Sequence, residues 1–163
     1  MFFNTNLKQK AENIINLALA KKNKIVTAES CTGGLLAGLF TEISGASSVF
    51  ERGFVVYSDV AKQEMLGVGA KTLQEFGAVS SQIATEMALG ALEESNAQIS
   101  VAITGIAGPD GGSVEKPVGL VYIAVANDSG VRVRKFNFIQ ERHFVRKSSI
   151  IEALNMLEKE LST

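Results

Sequence analysis

The feature that most restricts the fold is the alternation of short apolar segments with longer segments of helical periodicity. Five of the short segments are rich in β-branched residues and are predicted strands: residues 24–29, 54–57, 99–104, 118–126 and 131–139. Helices between the early strands imply parallel pairing through crossovers, whereas the turn at residues 127–130 predicts an antiparallel hairpin. The sequence therefore predicts an α/β fold: a single three-layer α/β/α domain with a mixed, mostly parallel sheet and a C-terminal β-hairpin plus helix.

Capping residues and apolar spacing indicate where the main helices begin. Asn6 is the predicted N-cap of the first helix, and Asp59 that of a short helix that carries Lys62. Ser80 or Ser81 caps a longer helix, and the final helix spans about residues 141–161.

The strand at residues 54–57 is apolar on both faces, which predicts a buried strand.

Composition restricts the chemistry. A length of 163 residues suits one domain, here predicted to cover residues 1–163. Because the chain has one cysteine and one histidine, it has no intrachain disulfide, no cysteine-cage zinc site and no multi-histidine metal centre. Any Ser-His-Asp triad would have to use His143 as its base.

Charge and hydropathy indicate a protein with no nucleic-acid or membrane partner. The net charge is −1, whereas dedicated nucleic-acid binders usually carry a basic excess. No signal peptide and no apolar run of membrane-spanning length is apparent, so a cytoplasmic location is expected. One basic cluster is interpreted as a solvated strand edge and helix face, with one arginine free for a phosphate: Arg132, Arg134, Lys135, Arg142, Arg146 and Lys147.

Three polar segments follow predicted strands and indicate where a ligand would bind. They are residues 29–34, 57–62 and 104–112. Ligands of open α/β sheets bind beyond the carboxyl ends of the strands, so these segments are expected to converge. The glycine loop in the third segment is not a phosphate-binding P-loop, and neither are residues 67–72, because both depart from G-x-x-x-x-G-K-[ST].

The first of these segments places a serine between a strand and a helix. Ser30 occupies the position of a nucleophile elbow, although Ala28 and Thr32 stand where G-x-S-x-G has glycines. Two alternatives stay open from spacing alone: Ser30 or Thr32 simply caps the following helix, or Cys31 is the nucleophile. Lys62 could activate Ser30 if burial and the helix N-terminus lowered its pKa.

Four stretches resemble the CinA C-terminal domain family, and the resemblance runs from about residue 7 to residue 160. They are Ala28–Gly34, Glu51–Ser58 with Lys62, Thr104–Gly112 and Lys116–Gly119. In longer family members this domain follows another one, so the chain is similar to the single-domain form, which includes nicotinamide-nucleotide amidases.

The resemblance implies hydrolysis of the carboxamide of nicotinamide mononucleotide, to nicotinic acid mononucleotide and ammonia, with no metal and no cofactor. It assigns Ser30 as the nucleophile and Lys62 as its catalytic partner. Arg142 would bind the phosphate. Backbone N–H groups near Cys31–Gly34 or Gly105 would hold the oxyanion. The remaining expected substrate-binding residues are Tyr57, Thr104, Gly105, Ser47, Gly33 and Gly34.

A second function stays open at this point. A non-catalytic nucleotide-binding module of the same family would keep the pocket without the reaction. Intact Ser30 and Lys62 favour the enzyme. The expected partners are a small-molecule nucleotide and a second copy of the chain, because small α/β enzymes often form homodimers.

Overall fold

Helices and strands alternate along the chain in the computed structural model, which describes residues 3–163. The first half contains α1 (Thr5–Ala20), β1 (Ile25–Glu29), α2 (Leu35–Thr41), a 3₁₀ turn (Ala46–Ser48), β2 (Phe50–Val55), α3 (Asp59–Leu66) and α4 (Ala70–Phe76). The second half contains α5 (Ser81–Glu93), β3 (Ile99–Gly105), β4 (Leu120–Asn127), β5 (Gly130–Asn137) and α6 (Arg142–Leu161).

The strands form one mixed sheet in the order β2-β1-β3-β4-β5. β1 pairs in parallel with both β2 and β3, while β4 pairs antiparallel with β3 and β5. Three parallel strands thus form one half of the sheet, and the antiparallel β4–β5 hairpin forms the other half. The predicted α/β class, the C-terminal hairpin and the closing helix are confirmed.

Two apolar clusters, one on each face of the sheet, hold the layers together. Helices α1, α2 and α6 pack on one face, and α3, α4 and α5 pack on the other. Ile25 and Val26 are neighbours on β1 and enter opposite clusters, because successive side chains of a strand point to opposite faces. Both are fully buried, as expected for a strand covered on both sides.

The prediction of a buried strand at residues 54–57 is wrong. β2 covers Phe50–Val55 and lies at the edge of the sheet, so it has only β1 as a neighbour. Val55 is 47% exposed and Tyr57 is 62% exposed, while only Val56 between them is fully buried. An apolar run indicates that a segment is a strand, but it does not reveal how many neighbours that strand has.

Two predicted caps are shifted along the chain. Asn4, instead of Asn6, accepts the Leu7 N–H at 3.0 Å and caps α1. Ser58, instead of Asp59, accepts the Ala61 N–H at 3.0 Å, because Ser58 has the extended backbone that a cap requires.

The N-cap of α5 is Ser80, the first of the two predicted alternatives, and it accepts the Ile83 N–H at 3.2 Å. Among residues 3–163, no helix combines the length and the apolar character that a membrane span requires.

Candidate active site

The polar segments that follow β1, β2 and β3 meet at the carboxyl edge of the sheet, as predicted. They enclose a cavity of about 190 Å³. Its lining comes from all three strand ends, from α3, from the loop before α5 and from the start of α6: Ser30, Cys31, Tyr57, Asp59, Lys62, Ala78, Val79, Thr104, Gly105, Ala107 and Arg142.

Ser30 and Lys62 form a buried pair in this cavity. Lys62 Nζ lies 3.1 Å from Ser30 Oγ, and the lysine is only 1% exposed. The same Nζ donates to the carbonyl oxygens of Val56, at 3.0 Å, and Tyr57, at 3.1 Å. A neutral amine has two N–H groups and one lone pair. When the two carbonyls accept its N–H groups, the lone pair is left to face the Ser30 hydroxyl.

Burial weakens the affinity of this lysine for a proton. Loss of solvation lowers the pKa of Lys62 below its ordinary value of 10.5, while the negative charge of Asp59, and that of Cys31 when its thiol ionises at high pH, opposes the shift. No carboxylate forms an ion pair with Lys62 within 4 Å in the part of the chain that is described. The site therefore favours a neutral amine more than water does, and a neutral amine can accept a proton from a hydroxyl.

The turn that carries Ser30 is anchored at both ends. The Ser30 N–H donates to the Ile103 carbonyl of β3 at 3.0 Å, and the Gly33 N–H donates back to the Ser30 carbonyl at 3.1 Å. Gly33 and Gly34 have φ values of 61° and 95°, which side chains with a Cβ rarely adopt.

Glu29 joins this turn to the helix that follows it. The buried Glu29 carboxylate accepts the N–H groups of Leu36 at 3.0 Å and Ala37 at 2.9 Å, in the first turn of α2. These two contacts satisfy backbone donors that lack partners within the helix and place a negative charge at its N-terminus. β1, the turn and α2 thus form one rigid unit around Ser30.

Cys31 also lines the cavity, but its thiol is poorly suited to attack. Burial raises the pKa of Cys31 to about 11, so the thiol stays protonated near neutral pH. The thiolate is the nucleophilic form of cysteine. Of the two candidate nucleophiles, only Ser30 has a base within hydrogen-bond distance.

Four of the predicted binding residues line the cavity: Tyr57, Thr104, Gly105 and Arg142. Arg142 Nη1 donates to the Gly108 carbonyl at 2.8 Å, and its Nη2 lies 3.5 Å from the Tyr57 hydroxyl. Thr104 Oγ1 donates to the Ala78 carbonyl at 2.8 Å and so fixes the loop before α5. Gly105 lets the side chains of Val121 and Cys31 lie close to the backbone of β3. A Cβ at this position would lie 2.7 Å from a Val121 methyl and 3.2 Å from Cys31 Sγ.

Some predicted site residues lie elsewhere. Ser47 is exposed in the 3₁₀ turn before β2, at the edge of the sheet opposite to Ser30, and does not line the cavity. Gly33 and Gly34 shape the turn but do not line the cavity either. His143 is exposed, stacks edge-on against Phe144 and is not among the cavity residues.

Two charged residues of the site were missed by sequence reasoning. Asp59 was interpreted only as a helix cap, yet it lines the cavity beside Lys62. Arg146 was counted only in the basic cluster, yet its guanidinium contacts the Ser30 turn. Its spacing of four residues from Arg142 puts both arginines on one face of α6, and that spacing could have identified it.

No metal site accompanies this arrangement in the described residues, where no group of three or more His, Cys, Asp or Glu side chains could hold an ion. A buried serine and lysine at the carboxyl edge of an α/β sheet define a class of site in which an amine can activate a hydroxyl. The family model of the CinA C-terminal domain matches residues 7–161. The chain therefore belongs to the CinA C-terminal domain family.

Curated relatives fall into two length classes. A CinA-like protein of Geotalea daltonii is 52% identical over 134 residues, which are 82% of this chain but only 32% of that protein. The nicotinamide-nucleotide amidohydrolase PncC of Enterobacter agglomerans is 49% identical over 148 residues, which are 90% of each chain. The chain thus spans about a third of the length of the first class of relatives.

Solved structures share the whole fold. The competence/damage inducible protein CihA from Agrobacterium tumefaciens superposes with a TM-score of 0.95 at 47% identity, and the match covers 99% of this chain and 98% of that one. A CinA superfamily protein from Klebsiella pneumoniae has a TM-score of 0.93 at 31% identity and covers 97% and 99%.

Proposed function

We propose that the protein hydrolyses the carboxamide of nicotinamide mononucleotide to nicotinic acid mononucleotide and ammonia, with Ser30 as nucleophile and Lys62 as base. The observation that carries this proposal is the 3.1 Å contact between Ser30 Oγ and the buried Lys62 Nζ. The substrate class is supported by the family to which the chain belongs and by the nicotinamide-nucleotide amidohydrolase among its relatives.

In the first half of the reaction, the neutral Lys62 takes the Ser30 proton while Oγ attacks the carboxamide carbon. The carbonyls of Val56 and Tyr57 hold the amine in place during this transfer. Backbone N–H groups of the Ser30 turn stabilise the oxyanion, a contribution worth about 3 kcal/mol per donor. Lys62 then returns the proton to the departing nitrogen, so that ammonia leaves and an ester on Ser30 remains.

In the second half, water attacks that ester. Lys62 takes a proton from the water, the acyl–oxygen bond breaks, and the proton returns to Ser30 Oγ. The sum consumes one amide and one water and yields one carboxylic acid and one ammonia. No redox partner is needed.

The functional test is ammonia release from nicotinamide mononucleotide, nicotinamide riboside and free nicotinamide, each at the same concentration. We expect the mononucleotide to be deamidated fastest. Binding of the mononucleotide by calorimetry with no ammonia would instead indicate the non-catalytic nucleotide-binding module.

Acid should suppress the activity, because protonated Lys62 cannot act as a base. The activity should therefore rise with pH through the lowered pKa of Lys62. Asp59→Asn removes a negative charge that favours the ammonium form of Lys62. The rising limb of the pH profile of kcat/KM should therefore move to lower pH. The measurement is kcat/KM against pH. Glu64→Gln, on the exposed side of α3, is the control and should leave the limb in place. A shift to higher pH in Asp59→Asn would contradict the assignment.

Arg142 should discriminate substrates by their phosphate. Charge-assisted contacts contribute about 1.5–3 kcal/mol, so Arg142→Ala should raise KM for the mononucleotide about tenfold or more. The riboside, which lacks the phosphate, should lose little. Arg134→Ala, on β5 and not in the cavity lining, is the matched control. Equal losses for both substrates would rule out phosphate recognition by Arg142.

A further inference from the structure

Arg146 makes two contacts with the turn that carries Ser30. Its Nε donates to the Cys31 carbonyl at 3.1 Å, and its Nη2 donates to the Thr32 carbonyl at 3.1 Å. A guanidinium is planar and presents its donors in a fixed fork, so one side chain here restrains two successive peptide groups. No other side chain of the described residues donates to either carbonyl, and the only backbone donor among them is the Leu35 N–H, which donates to the Thr32 carbonyl at 3.2 Å.

The fork also determines where the amides of these peptide groups point. All described peptide bonds except Gly108–Pro109 are trans, and in a trans peptide the N–H points opposite to the carbonyl. The Gly33 N–H is used by the Ser30 carbonyl at 3.1 Å. The Thr32 N–H, by contrast, has no acceptor among residues 3–163. It points away from Arg146. Thr32 is fully buried and does not line the cavity, so this amide is an unpartnered buried donor two residues from Ser30.

The helix that carries Arg146 is a rigid support. Val145 and Ser149, on either side of it, are buried, and α6 packs in the same apolar cluster as β3 and β4. The guanidinium lies directly against Gly33, since a Cβ there would be in ordinary van der Waals contact with Arg146 Nη2, at 3.6 Å. The contact therefore adds a link from α6 to a turn that Glu29 and backbone hydrogen bonds anchor to β1, β3 and α2.

We infer that Arg146 is a positioning residue: by holding the carbonyls of Cys31 and Thr32, it orients the Thr32 amide as a donor to the oxyanion formed at Ser30. The inference rests on the proposed function. Arg146 itself does not line the cavity and makes no contact with the reacting atoms in this arrangement. Its effect should appear in the transition state and not in substrate binding.

The test compares Arg146→Ala and Arg146→Lys with Lys147→Ala, the neighbouring residue on α6. Loss of one oriented oxyanion donor typically lowers kcat by about 10²-fold, so Arg146→Ala should show that loss with KM changed less than about threefold. Guanidinium ion at non-denaturing concentration should restore part of the kcat of Arg146→Ala, whereas sodium at equal ionic strength should not. Arg146→Lys, with no planar fork, should recover only part of the activity.

A second readout separates this inference from the proposed substrate. A fluorophosphonate labels an activated serine: a phosphorus–oxygen bond forms at Ser30 Oγ, fluoride leaves, and Lys62 takes the proton. Arg146→Ala should be labelled more slowly than wild type, even if the wild type releases no ammonia from the mononucleotide. That combination would reject the substrate and keep the role of Arg146.

Three results would overturn the inference. One is labelling and turnover of Arg146→Ala equal to those of Lys147→Ala. Another is a loss explained entirely by a smaller folded fraction, as measured by urea denaturation, with no rescue by guanidinium. The third is a wild type that is not labelled at Ser30, which would reject both the inference and the serine mechanism.

Discussion

Ser30→Ala is expected to abolish deamidation of nicotinamide mononucleotide, with a fall in kcat of at least about 10³-fold. The reason is that the variant lacks the oxygen that forms the acyl intermediate, while the cavity and Lys62 remain. Substrate binding should persist within about threefold by calorimetry, because a methyl group replaces a hydroxymethyl without adding bulk. The measurement is ammonia release under single-turnover conditions.

The adjacent thiol provides the control for this experiment. Cys31→Ala removes a protonated, buried group and should retain kcat within about tenfold, with any loss due to packing beside Gly105. The opposite pattern, with Ser30→Ala active and Cys31→Ala inactive, would assign the chemistry to the sulfur.

Lys62→Met is expected to lower kcat by about 10²–10⁴-fold, the usual contribution of a general base. Methionine keeps the length and apolar body of the side chain but cannot accept a proton. Lys62→Arg should not restore activity, because a guanidinium remains charged at every accessible pH. Lys71→Met, on α4 and outside the cavity, is the matched control and should keep wild-type kinetics.

Lys62→Met also tests whether the pKa of Lys62 is lowered, through the pH dependence of the free energy of unfolding. A lysine whose pKa is lowered in the folded protein binds fewer protons there than in the unfolded chain, so the free energy of unfolding increases with pH between the two values. Relative to Lys62→Met, the wild type should become more stable as pH rises toward 10.5. Urea denaturation at several pH values measures this difference. A difference that does not change with pH would show that the pKa of Lys62 is not lowered.

Sequence reasoning could predict the fold because the periodicity of this chain is consistent. Helices between β1, β2 and β3 require parallel crossovers, and the tight turn at residues 127–130 requires an antiparallel hairpin. It could not predict that β2 is an edge strand, because sheet order depends on tertiary packing that no local pattern encodes. The shift of the α3 cap from Asp59 to Ser58 has a similar origin, since both residue types cap well.

Sequence position predicts those residues of the site that lie at or just after the end of a strand. Ser30, Tyr57 and Thr104 each follow or end a strand, and the parallel arrangement of those strands brings them together. The role of Asp59 depends on how α3 packs against the sheet, which local sequence does not encode. The spacing of Arg146 from Arg142 places both on one face of α6, but only the packing of α6 shows that Arg146 contacts the Ser30 turn. Ser47 was placed by resemblance alone, and the structure does not bring it to the cavity of this chain.

The most direct test of the serine mechanism is to run the reaction in the presence of hydroxylamine, a nucleophile that competes with water for an acyl-enzyme. The proposed Ser30 ester predicts that wild type converts nicotinamide mononucleotide partly to the corresponding hydroxamate, while ammonia release is not slowed. Ser30→Ala should form no hydroxamate. Formation of acid alone at saturating hydroxylamine, or hydroxamate formation by Ser30→Ala at the wild-type rate, would contradict the account.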